Sequence, residues 1–456
     1  METTQKRTSF SSKLGLIMAT AGSAVGLGNI WKFPYIAGEN GGGAFLIIYL
    51  ICVLIFGMPL LMTELFIGKF SGKSAFGAFR TIRHNSKWQW LSWLCMLTAV
   101  LIMGFYFVVT GWCFHYLVAA FLHSFKGADA AMLSAHFTQF VSSDSRMFIY
   151  CLIAIVLTAC VLWFDVNKGI ERLSKILMPL LLIMMFLMAG RVLMLDGSTV
   201  GMNFFFNVDF AKVTPDVILS AMGQCFFSLS IGMGAMITYG AYMPKTQNIA
   251  ATSLQVVILD TAVAILAGVI IFPAVFAFGV NPAEGPQLVF VVLPAIFEKM
   301  SFAWFSGILF FSLLCIAAIT STISLMEVAV AFITDATSQT KHPMNRHKSV
   351  LIVVAIVIVM TTICIFSLTG TPSWLVIDGE SIFDWLDTIT SCWLMPLIAL
   401  AMSIFVGWFI PKISIEDEFK TRSKWKYAFA LTFLQIIRYI IPLAILAIFL
   451  NGLGIW

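Results

Sequence analysis

The stretch Ala21-Gly22-Ser23-Ala24-Val25-Gly26-Leu27-Gly28-Asn29 decides the fold of this chain. It lies inside an apolar segment that runs from about Leu14 to Ile36. Its three glycines weaken an α-helix, by roughly 1 kcal/mol each relative to alanine. A helix that breaks at membrane depth is tolerated only where its freed backbone groups are buried in protein or line a cavity. Freed carbonyls can bind a cation and freed N–H groups can bind an anion. The stretch therefore predicts a solute and ion site halfway across a bilayer.

The composition excludes a soluble protein. Hydrophobic residues make up 60% of the chain and charged residues only 11%, whereas soluble domains carry about 25% charged residues. The nine cysteines are scattered without a CxxC pair, so they indicate neither a metal site nor a disulfide framework. We expect a polytopic protein whose surroundings are the lipid bilayer, with no nucleic-acid partner and no obligate protein partner.

Eleven apolar segments are long enough to cross about 30 Å of hydrocarbon. In chain order, spans 1 to 11 are 14–36, 44–68, 89–124, 147–164, 171–194, 216–241, 250–280, 303–335, 349–369, 381–410 and 428–454. The apolar segment Val289–Phe297 is too short to cross, and it predicts a hairpin or lid within a loop.

The distribution of basic residues predicts the orientation. With the N-terminus inside, the inner loops hold 20 of the 27 Lys and Arg residues, as the positive-inside rule requires. Eleven spans then place the C-terminus, Trp456, outside. The first apolar run is not followed by a small-residue cleavage site, so we expect it to remain as a membrane helix.

A second interruption lies in span 6, at Gln224-Cys225-Phe226-Phe227-Ser228-Leu229-Ser230-Ile231-Gly232-Met233-Gly234. Small residues at one such position can simply allow close helix packing. Interruptions at matching places in two halves instead favour an inverted-repeat transporter with its site at the repeat interface. We therefore predict one transmembrane domain over residues 1–456, with repeats at 1–200 and 201–412 and an extra helix within 413–456.

The motif that runs from Gly22 to Tyr35, followed by Glu39-Asn40-Gly41-Gly42-Gly43-Ala44-Phe45, resembles the signature of the neurotransmitter:sodium symporters. The bacterial members of that family include leucine, tryptophan and multi-hydrophobic amino acid transporters. Gln224–Gly234, Ala317–Thr322, and Gly169 with Pro179 extend the resemblance over the whole chain. It implies an all-α fold of eleven transmembrane helices, a 5+5 inverted repeat with unwound helices 1 and 6 plus helix 11. It also implies a non-enzymatic protein of a bacterial plasma (inner) membrane.

The resemblance implies two sodium sites. The first would combine the substrate carboxylate with Ala24, Asn29, Ser228 and Asp260, and the second would combine Gly22, Val25, Ala317, Thr320 and Ser321. Asp260 is the sharpest candidate, because ionisable residues within spans are usually functional. Two alternatives stay open. In one, Asp260 is an ordinary buried acid paired with a backbone donor, and in the other the Thr320 hydroxyl bonds back to its own helix. Chloride is not expected, because Asp260 adds a negative charge where relatives have Asn.

The resemblance also implies a substrate pocket. Its predicted residues are Ala24, Gly26, Leu27, Gly28, Ile102, Tyr106, Phe227, Ser228, Ser230, Met233, Ser321 and Leu325. Relatives that carry monoamines place an Asp at position 26, so Gly26 favours an amino acid. Met233 replaces a Phe of the leucine transporter, and a flexible Met lets the pocket admit larger side chains. For each side chain that lines the pocket, ordinary helix packing is the alternative.

Two gates would bracket the site. We expect Lys32 and Asp387 outside, with Asp384 as an alternative partner, and Arg7 with Asp335 inside, near Tyr242. Most relatives have Arg at position 32, and Lys lacks the planar fork of Arg, so the outer pair should be looser. Glu64 would brace the unwound part of span 6, and Glu327 and Arg438 would make interhelical contacts.

The predicted function is sodium-coupled import of hydrophobic or aromatic L-amino acids by alternating access. A proton-coupled transporter with Asp260 as the carrier remains open as an alternative. A channel or sensor on the same fold is the second alternative.

Overall fold

The computed structural model describes residues 10–83, 87–279, 281–282, 288–300, 302–338, 340, 342–370, 372–377, 379–411, 418 and 431–452. These residues form an all-helical bundle apart from one antiparallel hairpin, Val376–Ile377 with Glu380–Ser381, in the loop before span 10.

Eight continuous helices are long and apolar enough to cross a membrane. They are Gly43–Ser71, Gln89–Phe121, Asp144–Leu162, Gly169–Leu193, Ile249–Ala277, Ala303–Thr337, Arg346–Thr369 and Ile382–Phe409. They coincide with predicted spans 2 to 5 and 7 to 10, and the all-α multi-span fold is confirmed.

Span 1 is broken within the stretch that predicted the break. Its N-terminal half, Lys13–Ala24, is called the inner half after its predicted orientation. It begins after Ser12, whose hydroxyl accepts a hydrogen bond from the Gly15 N–H at 3.0 Å. The outer half, Gly28–Glu39, is bent by 46° from the inner half. It opens with a π-helical turn, Gly28–Lys32, and continues as the α-helix Phe33–Glu39.

Span 6 is broken over six residues. Its halves are Pro215–Ser228 and Ala235–Ala241. Between them the backbone takes positive φ at Ser230 (55°) and Gly232 (87°), and Gly234 follows at 74°. Glycine adopts these angles freely, and Ser230 is held by a 2.9 Å hydrogen bond from its hydroxyl to the Ser23 carbonyl.

Span 11 contains a shorter apolar helix, Leu431–Ala447, and the α-helix Ile441–Gly452 overlaps its end and continues beyond it. Like the two halves of span 6, it is too short to count among the continuous spans. The eleven-span count and the inverted repeat therefore stay predictions.

Short helices occupy several loops. Val292–Glu298 forms a helix at the predicted hairpin or lid. The helices Ala75–Ile82, Ala130–Val141 and Ser198–Phe206 and the 3₁₀ turns Phe210–Lys212 and Ser373–Leu375 were not predicted. Further π-helical turns lie at Val53–Gly57, Asn167–Glu171, Ile389–Leu394, Phe405–Phe409 and Ile436–Ile440.

The broken spans lie in the buried centre of the bundle. Leu27 and Leu229, one in each break, are fully buried. Glycines bring the inner half of span 6 close to span 2, because a Cβ added at Gly68 would lie 2.0 Å from the Ile237 carbonyl oxygen. The hydrogen bond from the Ser230 hydroxyl to the Ser23 carbonyl joins the break in span 6 to the end of the helix before the break in span 1.

Candidate functional site

A small cavity of about 20 Å³ lies where the two breaks meet. Its lining residues are Ser23, Ala24, Gly26, Gly28, Ile102, Tyr106, Phe227, Ser230, Met233, Ser321 and Leu325. Ten of the twelve residues predicted for the substrate pocket belong to this set, while Leu27 and Ser228 do not. Ser23 was not predicted, and its position within the glycine-rich stretch of span 1 was the available signal.

One end of the cavity is formed by backbone at the break in span 1. The Leu27 N–H donates a hydrogen bond to the Tyr106 hydroxyl at 3.0 Å. A Cβ added at Gly26 would lie 2.0 Å from Ser321 Oγ and 2.8 Å from Tyr106 Oη, so a side chain does not fit there without displacement. N–H groups at a helix start attract an anion. This end suits a carboxylate.

A cluster of oxygen-bearing side chains lies beside the cavity. The Asn29 amide nitrogen donates to Asp260 Oδ1 at 2.8 Å and to Ser228 Oγ at 2.9 Å. The Ser228 hydroxyl lies 2.8 Å from Asp260 Oδ2, and Tyr49 Oη lies 3.4 Å from the same oxygen. Asp260 is fully buried. The structure thus brings three of the four predicted first-site residues together, while the fourth, Ala24, lines the cavity. Hard cations prefer such oxygen ligands.

The residues predicted for the second sodium site lie between spans 1 and 8. A Cβ added at Gly22 would be 3.6 Å from Thr320 Cβ, so spans 1 and 8 are in contact at this point. The Thr320 hydroxyl donates to the carbonyls of Ile316 at 3.1 Å and Ala317 at 3.0 Å. The back-bonding alternative is therefore observed. It leaves the hydroxyl lone pairs free, since a donor spends only its hydrogen. The Ser321 hydroxyl faces Gly26 and the cavity.

A lysine lies over the cavity on the side predicted to face outward. Lys32 Nζ contacts Asp387 Oδ1 at 2.5 Å and Ser391 Oγ at 3.1 Å, and it lies 4.4 Å from the centre of the Phe227 ring. The predicted outer pair is therefore formed with Asp387. The alternative partner, Asp384, instead bonds to Ser381, with 2.6 Å between Asp384 Oδ2 and the Ser381 hydroxyl.

Several contacts lie on the side predicted to face inward. Arg7 lies outside the described residues, so its pair with Asp335 stays a prediction. Asp335 accepts hydrogen bonds from the backbone N–H and hydroxyl of Ser74, at 2.7 Å and 2.5 Å. Phe10 stacks on Tyr239 with 5.9 Å between ring centres, and its N–H donates to the Tyr242 carbonyl at 3.0 Å.

The other buried charges make the polar contacts expected of them. Glu64 Oε1 accepts a hydrogen bond from the Gly232 N–H at 2.6 Å, which braces the break in span 6. Glu327 accepts from the Tyr242 hydroxyl at 2.6 Å and from Arg346 at 2.9 Å and 2.6 Å. Arg438 donates to the Gly407 carbonyl at 2.7 Å. Arg346 was not singled out from the sequence, because it precedes predicted span 9 among other basic residues.

Comparison with known proteins adds family information. The model of the family described as "Sodium:neurotransmitter symporter family" matches residues 7–135 and 129–454. An uncharacterized sodium-dependent transporter of Bacillus subtilis, YhdH, is 38% identical over 451 residues, 99% of each chain. An uncharacterized sodium-dependent transporter of Haemophilus influenzae is 33% identical over 98% of this chain and 99% of its own. The crystal structure of MhsT in complex with L-phenylalanine matches with a TM-score of 0.90 and 36% identity, over 99% of this chain and 100% of MhsT.

Proposed function

Because this chain belongs to the sodium:neurotransmitter symporter family and is a multi-pass, sodium-dependent symporter, we propose that it imports hydrophobic and aromatic L-amino acids. The observation that carries the proposal is the cavity between the two helix breaks. Backbone groups and hydroxyls line one part of it, and apolar side chains line the rest. No charged side chain is among its lining residues, so a charged substrate side chain would be left unpaired.

The cavity offers a separate contact for each part of an amino acid. The substrate carboxylate would bind the N–H groups of Leu27 and Gly28 and the Tyr106 hydroxyl. Its amine would bind carbonyls at the breaks, near Ala24 and Ser228. A monoamine has no carboxylate of its own, so the protein would have to supply one beside the amine. Gly26 supplies none, and monoamines are therefore disfavoured. That MhsT has been crystallised with L-phenylalanine supports the same substrate class.

The apolar part of the cavity would hold the substrate side chain. Ile102, Phe227, Met233 and Leu325 are all nearly buried, with at most 5% of each exposed. Burying an aromatic side chain against such residues stabilises it by roughly 1.5–3 kcal/mol. Met233 can change its rotamer to fit different side chains. A range of large apolar amino acids is therefore expected.

Two sodium ions would bind beside the substrate. Ala24, Asn29, Ser228 and Asp260 would hold the first, together with the substrate carboxylate. The second would contact carbonyls of Gly22, Val25 and Ala317 and the hydroxyls of Thr320 and Ser321. Each charge that enters the cell gains about 2.3 kcal/mol per 100 mV of membrane potential, which can drive uptake against a concentration gradient.

The outer contacts would alternate with an inner opening. Lys32, Asp387 and Phe227 cover the cavity from outside, while Phe10, Ser74 and other residues at the inner end close it from the cytoplasm. We infer a cytoplasmic N-terminus and an external C-terminus in a bacterial plasma membrane, from the excess of basic residues on the inner side.

Uptake into proteoliposomes tests this function. A sodium gradient without a pH gradient should drive uptake of labelled L-phenylalanine, L-tryptophan, L-tyrosine and L-leucine among twenty amino acids. Uptake that instead follows a proton gradient in sodium-free buffer would favour Asp260 as a proton carrier. Uncoupled conductance without accumulation would indicate a channel.

A further inference from the structure

We propose that Glu171 is a positioning residue that fastens the inner half of span 1 to the start of span 5. Glu171 ends the π-helical turn Asn167–Glu171 and is 1% exposed. It lies outside the substrate cavity and outside both predicted sodium sites. The proposal rests on the proposed sodium-coupled function, because a fastened or released inner half of span 1 would control access to the second sodium site.

The Glu171 carboxylate accepts hydrogen bonds from the two serines that immediately precede the helix of span 1. Oε2 accepts a hydrogen bond from the Ser11 N–H at 2.7 Å. Oε1 accepts from the Ser11 hydroxyl at 2.6 Å and from the Ser12 hydroxyl at 3.0 Å. Ser12 is also the N-cap residue of Lys13–Ala24. Glu171 therefore accepts a hydrogen bond from Ser12, the residue that caps the start of the inner half of span 1.

The charge of this buried carboxylate is balanced within span 5. Lys175 Nζ lies 2.6 Å from Glu171 Oε1, one turn further along the helix. Hydrogen bonds to a charged group are stronger than neutral ones, and breaking one side of a buried pair leaves an uncompensated charge. Glu171 keeps Lys175 as a partner in either case, but it has its three hydrogen bonds from Ser11 and Ser12 only while the two spans stay together.

Glycine makes the close approach possible. A Cβ added at Gly15 would lie 2.1 Å from Glu171 Oε1 and 2.4 Å from its carboxyl carbon. An alanine at this position must push the carboxylate away. Substitutions at Gly15 and at Glu171 therefore disrupt the same contact from its two sides.

A second contact between the same spans lies at the same spacing. A Cβ added at Gly22 would be 3.4 Å from Met178 Sδ and 3.6 Å from Thr320 Cβ. Residues 15 and 22 are seven apart, as are 171 and 178, which corresponds to two helical turns. One face of span 5 therefore follows span 1 from its N-cap to the predicted second sodium site. A shift of span 5 that releases Glu171 also removes Met178 from Gly22, so sodium occupancy and inner closure are coupled through this face.

Hydrogen exchange measured by mass spectrometry in nanodiscs tests the coupling. Sodium, compared with potassium, should slow exchange of amides 13–24 in the wild-type protein. In Glu171→Ala and in Gly15→Ala this slowing should fall by about fivefold or more, the lower end of ordinary coupling between sites. The double variant should be no worse than the worse single variant, because both changes break one contact.

Two matched controls come from span 5. Gly190→Ala adds a methyl group where no atom lies within 4 Å, and Ile176→Ala truncates a side chain that is 59% exposed. Both should exchange like the wild-type protein.

The proposal is overturned if Glu171→Ala keeps the full sodium effect, if the effects of the two substitutions add, or if exchange rises equally in the distant helix Ala130–Val141. Absence of sodium-driven uptake by the wild-type protein would instead count against the proposed function, while the exchange of residues 13–24 in the variants would still decide the role of Glu171.

Discussion

At the scale of single residues, the Asp260 carboxylate is held by neutral side chains. Asn29, Ser228 and Tyr49 all point polar atoms at it within 3.4 Å. A buried carboxylate without a cationic side chain among these partners is costly. A sodium ion beside it would remove that cost, and this makes Asp260 the residue whose change should affect sodium most.

Asp260→Ala should therefore raise the half-saturating sodium concentration for L-phenylalanine binding by at least about tenfold, or 1.4 kcal/mol. The substitution removes both carboxylate oxygens. Ser228 then loses its carboxylate acceptor, and Asn29 keeps only Ser228 Oγ and the backbone carbonyl of residue 260 as acceptors. Asp260→Asn keeps one oxygen and the shape of the side chain, so it should lose less. Scintillation proximity binding on purified protein measures both. Normal sodium affinity in Asp260→Ala would exclude Asp260 from the first site.

Met233 should set the upper limit on substrate size. Met233→Phe replaces a flexible chain by a rigid ring in the cavity, so L-tryptophan should lose about tenfold more affinity than L-leucine, since overpacking costs roughly 1–3 kcal/mol. Competition against labelled L-leucine gives both affinities. Met194→Phe is the matched control, because Met194 is 86% exposed. Equal weakening of all substrates would mean that Met233 does not contact the substrate side chain.

The sequence distinguished some of these residues better than others. Asp260 and Glu64 stood out because a charged residue within an apolar span is rare and costly. Glu171 and Arg346 did not, since they lie at span ends among other charged residues, where charge is common. Only the folded structure places Glu171 against Ser11, about 160 positions away in the chain.

At the scale of elements, the two broken spans define the site. Glycine and serine content alone located both breaks, because helix propensity falls most where glycines cluster. The π-helical turns and the short helices of the loops escaped prediction. A π-helical turn is stabilised by its tertiary surroundings rather than by composition. Short amphipathic helices such as Ala75–Ile82 give too few residues for a clear period.

Gly232→Ala tests the break in span 6. Gly232 has φ of 87°, and a Cβ there would lie 2.8 Å from Met395 Cα and from its carbonyl oxygen. The substitution should destabilise the break by roughly 1–3 kcal/mol and shift the N–H that donates to Glu64. We expect a lower thermal midpoint and at least a tenfold loss of substrate affinity. Gly223→Ala, in the same span, meets its nearest atom at 3.7 Å and should change neither. Equal effects of the two alanines would contradict this account.

At the scale of the whole molecule, hydropathy predicted where the spans lie. It did not predict which face of each helix is exposed and which is buried in the bundle. In a membrane protein the lipid and the protein interior are equally apolar. Leu54 is 64% exposed and Leu60 is 1% exposed, although both lie in span 2 and are the same residue type. Facing therefore follows from helix contacts, such as the close approach at Gly68, which a single sequence does not encode in its hydropathy.

The electrostatics around Asp260 bear on whether the transporter needs chloride. Asp260 presents a fixed carboxylate to donors that an anion would otherwise use: Asn29, Ser228 and Tyr49. One turn further along span 7, Ala264 is fully buried and offers no hydroxyl. A chloride ion 4 Å from the carboxylate would be repelled by about 4 kcal/mol at an effective dielectric constant of 20. The anion would lose affinity by roughly three orders of magnitude.

We therefore expect sodium-driven uptake to be independent of chloride. Replacing chloride with gluconate at constant sodium in proteoliposomes should leave the initial rate of L-phenylalanine uptake unchanged. Asp260→Asn together with Ala264→Ser removes the fixed charge and adds a hydroxyl donor, so any uptake that this double variant retains should increase with chloride. If the wild-type rate falls clearly in gluconate, an anion binds despite the carboxylate, and Asp260 must then carry a proton or point away from the ion when chloride is present.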